Sequence, residues 1–139
     1  MSGQAKTSRL FCAHPHFIVN NIVESAEFYR DKLGFTFERY WGEPPCFVMV
    51  LRDDVEFFLS CPGPGLAKPN HKVHPEIAWD AYVNVTNVDA LCDEFKSKGV
   101  KILRGPENAF YDQREFEIED CNGYCVCFAQ DVSDSNSRK

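Results

Sequence analysis

A pattern in this chain is written twice, about 65 positions apart, and each copy reads as a strand, a capped helix and three further strands. In the first copy, residues 17–35, a short apolar run leads into Asn21, an amphipathic segment and Gly34; in the second, residues 82–100, Asn87 and Gly99 stand in the same places. Asn at the first position supplies a side-chain oxygen for the free N–H groups of a helix start, and Gly at the last takes the left-handed turn that ends one. Such a repeat decides the fold before any motif does, because one unit cannot bury its apolar face alone.

Ile22, Ala26, Tyr29 and Leu33 fall at helical spacing, as do Val88, Leu91 and Phe95, so each helix has one stripe to lay on a sheet. Short β-branched and aromatic runs follow at 35–40, 47–51 and 55–60, and again at 100–103, 115–119 and 124–130, with Asp120, Asn122 and Gly123 marking the last turn. The order is β-α-β-β-β twice. The expected fold is therefore α+β, with tandem modules at 10–61 and 77–131 forming a cavity between curved sheets, a Pro/Gly-rich linker at 62–76, and disordered tails at 1–9 and 132–139. The linker permits module exchange between two chains.

Composition narrows the function. The net charge of −6 is scattered, with no Lys/Arg stripe for a phosphate backbone, so nucleic acid is not an expected partner. No run approaches the roughly 18 apolar residues of a membrane span, and residues 1–9 lack the apolar stretch of a secretory signal, which favours a cytoplasmic protein. An odd count of seven cysteines suits reduced thiols, with Cys12, Cys46, Cys61 and Cys92 expected to be buried.

Residues 19–35 resemble the strand-to-helix signature of the glyoxalase/bleomycin resistance/dioxygenase (vicinal oxygen chelate) superfamily. The run 111–124, with Arg114-Glu115-Phe116 and then Asp120-Cys121-Asn122-Gly123, is similar to the family's stretch before its last strand, although Cys121 stands where Pro is usual. Segments 41–45 and 52–60 look most like bleomycin-resistance-like members, and the likeness spans residues 12–130. It implies the paired-module fold and a small-molecule site. In metal-dependent members one ligand sits on the first and one on the last strand of each module, which by offset implies His14, Glu56, Asp80 and Cys127 here.

Strand alternation turns all four toward the concave side. An imidazole, two carboxylates and a thiol make an unusual set for this family, so no complete metal site and no cofactor are expected, with a divalent metal as the alternative. Cys121, Cys125 and Cys127 lack the spacing of a zinc site, and His71 and His74 read as loop residues. Recognition then falls to aromatic residues: Tyr40, Trp41, Phe58, Trp79, Tyr82, Phe110 and Tyr111, beside polar His14, His16, Glu56, Asn84 and Glu117. Arg114 and its neighbour Glu115 read as structural ion-pair residues.

The expected function is small-molecule binding of the bleomycin-resistance type by a homodimer. The alternative is a metal-dependent lyase or dioxygenase acting on vicinal oxygens through His14 and Glu56. A module pair serving only association is a third reading.

Overall fold

The computed structural model describes residues 7–133, so most of both expected tails lies outside the described residues. Module one contains β1 (His16–Ile18), α1 (Ile22–Asp31), β2 (Tyr40–Trp41), β3 (Phe47–Arg52) and β4 (Val55–Ser60). A one-turn helix α2 (Asn70–Val73) interrupts the linker, and module two follows as β5 (Ala81–Asn84), α3 (Val88–Ser97), β6 (Lys101–Asn108), β7 (Gln113–Glu119) and β8 (Cys125–Asp131). Each module is a four-stranded sheet, in the orders β1-β4-β3-β2 and β5-β8-β7-β6. The repeat in the sequence is thus a repeat in topology.

The caps form as their residue types dictate. Asn21 Oδ1 accepts the Glu24 N–H at 2.9 Å and Asn87 Oδ1 the Ala90 N–H at 3.1 Å, each closing the first turn of its helix. Gly34 and Gly99 end the helices with φ of 78° and 79°. Ile22, Ala26, Tyr29 and Leu33 are all buried, and Val88 and Phe95 with them, against Phe57, Phe116 and Phe128 of the sheets. Fully burying a side chain of this size contributes about 1.5–3 kcal/mol, so these stripes hold each helix to its sheet.

Some expectations fail for identifiable reasons. Residues 35–40 do not form a strand: Phe35 turns into the core beside Tyr29 and Phe57, Thr36 makes only an isolated bridge to Leu51, and pairing resumes at Tyr40. The strand expected at 100–103 runs on to Asn108, crossing two register shifts around Arg104 and Gly105. Cys12 and Cys46 are exposed rather than buried, while Cys92, Cys125 and Cys127 are buried; all seven thiols are free.

The modules meet on their helix-bearing sides. Tyr29 donates to Asp120 at 2.7 Å, Phe17 stacks on Tyr124 at 4.7 Å, and Arg52 of β3 forms a two-pronged pair with Glu94 of α3 at 2.9 and 3.0 Å. The concave faces do not close over one another within one chain. His14, His16 and Phe58 find their partners in module one, and Tyr82, Arg104 and Glu115 find theirs in module two. A cleft of about 500 Å³ on the helix side is lined by Phe35, Arg52, Leu91, Glu94 and Phe95 among others, and of the expected site residues it takes in Asn84, which was expected on the concave face.

Candidate functional site

The concave face of module one is built by β1, β4, β3 and β2. His14 Nδ1 lies 3.6 Å from Glu56 Oε1, its ring stacks on Phe58 with centroids 4.9 Å apart, and His16 Nε2 contacts Ser60 Oγ at 2.7 Å. Phe47 edges the same cluster, 5.7 Å from Phe58. Trp41 stands opposite Phe47 in register, with the Arg39 guanidinium 3.8 Å over its ring. Tyr40 does not belong here. It pairs with buried Val48 and packs on Phe37 at 5.2 Å, so alternation sends its ring to the α1 side, away from the face on which it was expected.

The concave face of module two is more polar and more enclosed. Glu115 is fully buried, its carboxylate taking the Tyr82 hydroxyl at 2.6 Å, the Tyr111 hydroxyl at 2.7 Å and Arg104 Nη2 at 2.8 Å. Burial works to raise its pKa, but the three donors overcome that and hold it below the usual carboxylate range. Tyr82 is pushed up by burial and by the same carboxylate, and Tyr111 is pushed up to about 12, chiefly by its hydrogen bond to Glu115. Both phenols stay protonated and act as donors. Trp79 lies 5.0 Å from Tyr82, and Phe110 and Tyr111 meet edge-on at 5.0 Å in the turn between β6 and β7, where Phe110 is 87% exposed.

Arg114 and Glu115 do pair with opposite charges, though not with each other. Neighbours along a strand face opposite sides, so Arg114 reaches Asp89 of α3 while Glu115 reaches Arg104 on the concave face. His71, expected as a solvated loop residue, contacts the Gly123 carbonyl at 3.0 Å. The Arg104–Glu115 pair was missed because its partners are 11 positions apart on strands joined by a turn whose register sequence spacing does not give.

The four candidate metal donors do not come together in the chain. Among the described residues no group of three or more His, Cys, Asp or Glu side chains is placed to hold an ion. Asp80 is committed elsewhere, Oδ1 accepting the Asn70 N–H at 2.8 Å and Oδ2 the Cys125 N–H at 2.9 Å. Strand register also shows that Glu56 and Cys127 do not occupy equivalent positions in the two modules. His16 is paired with Phe58 and Tyr82 with Cys127, so the counterparts of His14 and Glu56 are Asp80 and Cys125, two residues earlier on β8. The thiols are poor donors as they stand: burial, then neighbouring Glu117, pushes Cys125 up to about 12, and burial raises Cys127 well above its ordinary value. This donor set does not fit the ion that the family's metal-dependent members use.

Residues 12–128 match the model of the Glyoxalase/Bleomycin resistance protein/Dioxygenase superfamily. No curated protein matches the sequence. Among solved structures, a glyoxalase-related enzyme from Clostridium phytofermentans superposes with a TM-score of 0.72 at 13% identity, covering 92% of this chain and 100% of the other. The bleomycin resistance determinant encoded on transposon Tn5 gives 0.69 at 18%, over 89% and 100%. A bleomycin-binding protein from Streptomyces verticillus, solved with copper(II)-bleomycin, gives 0.65 at 23%, over 88% and 97%. At these identities the likeness speaks for the fold, and the family match over residues 12–128 establishes that this protein belongs to the glyoxalase/bleomycin resistance/dioxygenase superfamily.

Proposed function

We propose that the protein binds a planar small molecule, as a homodimer in which the concave face of module one in one copy covers that of module two in the other, without a complete metal site. The carrying observation is the pair of open concave faces, one aromatic and one built on a buried carboxylate network. On module one Trp41, Ile18 and Leu51 are each more than 40% exposed, an apolar surface unusual for a face that stays in water. Related structures include an antibiotic-binding protein from Streptomyces and the bleomycin-binding protein above, which supports ligand capture rather than a reaction. The cytoplasm suits a protein with seven free thiols.

The test uses the chain's own fluorescence, because both tryptophans, Trp41 and Trp79, lie at the proposed cavity. Sedimentation is expected to give twice the 15.9 kDa chain mass, and titration with acridine, a planar neutral probe, is expected to quench the emission saturably. A Trp79→Phe variant should keep only the quenching of Trp41, with a correspondingly smaller amplitude. A monomer that acridine does not quench would sink the proposal.

The His14–Glu56 pair, 3.6 Å apart, favours a second reading: a metal-dependent lyase or dioxygenase in which these side chains form half of an ion site. Elemental analysis after purification separates the two. Substoichiometric metal is expected; one ion per chain, lost in His14→Ala, favours the second reading.

A further inference from the structure

The modules meet on their helix-bearing sides without filling the seam between them. The cleft of about 500 Å³ there draws on both: the turn between β3 and β4 from module one, and residues 83–87 with the start of α3 from module two. Its size falls within the roughly 300–1,000 Å³ of small-molecule sites, which form preferentially where two folded units meet. Buried Phe35, Val83, Phe95 and Phe128 make its floor, and partly buried Val55 and Leu91 its sides. The concave faces lie across the sheets from it.

The charges lining the cleft do not balance. Arg52 is fully engaged, its guanidinium holding Glu94 at 2.9 and 3.0 Å and the Leu33 carbonyl at 2.8 Å. Asp53 comes no nearer to Arg52 than 4.0 Å, and among the described residues Asp54 makes no hydrogen bond or ion pair. The side chains of Asn84 and Thr86, on the module-two wall, make none either. The start of α3 does not compensate as an anion site. Its Val88 and Ala90 N–H groups are taken by Gln130 Oε1 and Asn87 Oδ1, and Asp89 adds a negative charge to its first turn. An apolar floor, a free carboxylate and uncommitted polar groups therefore share one cleft, and the single cation lining it is already paired.

From this we infer that the cleft between the modules is a second ligand site, separate from the concave faces, and that it takes an amphipathic amine. The apolar body lies over the buried rings against Val55 and Leu91, and the ammonium pairs with Asp54 in the negative field of Asp53. The apolar surface supplies most of the affinity, because a carboxylate at the surface adds little; the charge selects between ligands of the same shape. The site goes beyond the binding proposed above and does not depend on it, since pairing through the concave faces leaves the helix side outside.

The experiment titrates 1-naphthylmethylamine, a cation at neutral pH, and neutral 1-naphthalenemethanol into the full chain by calorimetry. The wild-type protein is expected to bind the amine about three- to fivefold tighter at low salt, the advantage of one exposed ion pair, and to lose that preference in about 0.5 M sodium chloride. Asp54→Asn should bring the amine down to the affinity of the alcohol. Ala90 is exposed on α3 and lines the cleft, so Ala90→Phe fills it and should weaken both probes at least about tenfold. Ala90 has no part in the concave faces, and acridine should quench Ala90→Phe as it does the wild type. Equal affinity for amine and alcohol overturns the inference, as does an absence of binding. So does displacement of the amine by acridine, which would put it on a concave face. An amine affinity unaltered in Ala90→Phe overturns it too. The amine–alcohol comparison and the acridine competition use wild-type protein, so a variant that fails to fold does not remove the test.

Discussion

Replacing Asp120 with Ala is expected to cost roughly 3–5 kcal/mol of folding stability, as large an effect as a single side chain of this fold should give. Asp120 is 5% exposed and makes three bonds that hold the modules and the last turn together. Oδ2 takes the hydroxyl of Tyr29, itself completely buried on α1, and Oδ1 takes the N–H groups of Asn122 and Tyr124 at 2.8 and 2.9 Å. Alanine strands the Tyr29 hydroxyl between the modules and frees the turn. Urea denaturation at fixed protein concentration measures the loss, and a variant within about 1 kcal/mol of wild type would show that the seam does not depend on this residue.

The same carboxyl sets a pH dependence. Burial pushes its pKa up to about 6, against the lowering effect of Tyr29 and the two backbone donors. A folded pKa above the unfolded one means that the native state binds the proton more strongly. The contribution is therefore fully present below about pH 4 and is lost as pH rises to about 6, on the order of 3 kcal/mol at most. Asp120→Asn keeps an acceptor for the turn and cannot ionise, so its stability should change less than wild type between pH 4 and 7. An unaltered slope would assign the pH dependence to other groups.

What the sequence revealed and what it hid follow from the range of the interactions involved. Caps, stops and stripes are local: Asn21 and Asn87 need only their own helix, and Tyr29 and Phe95 are recognisable from 3.6-residue spacing. The paired modules were legible for that reason. Site residues depend on register between distant strands, and there counting failed. The offset between copies is 66 from Asn21 to Asn87, yet Ser60 and Ala129, which accept the equivalent bonds from Val19 and Val85, are 69 apart. With the offset of 69 the counterpart of Glu56 is Cys125, whereas the cap-to-cap offset of 66 points to Asn122 and a count of four from Gly123 points to Cys127. Tyr40 was misplaced for a similar reason, since the irregular stretch before it resets the alternation. For Arg114 and Glu115 the signal was present, because adjacent strand residues cannot share a face.

Gly105→Ala tests the device that aims Arg104. Gly105 sits in β6 within the second register shift, between Arg104 and Glu107, at φ 85°, and a Cβ built there would lie 2.3 Å from the Glu115 carbonyl oxygen and 2.9 Å from Phe116 Cα. Both obstacles are backbone of the neighbouring strand, so neither can rotate away. The left-handed conformation costs an alanine about 1–2 kcal/mol and the forced separation of the strands about 1–3 more. A loss of roughly 2–5 kcal/mol is expected in total, read as a melting temperature at least about 6 °C lower or a collapse of soluble yield. Gly65→Ala is the control: its φ is 72°, and nothing lies within 4 Å of the added carbon. It carries the conformational strain alone and should cost about 1–2 kcal/mol. The two variants together separate backbone strain from collision. A Gly105→Ala protein melting within about 2 °C of wild type would show that β6 bends around the added carbon.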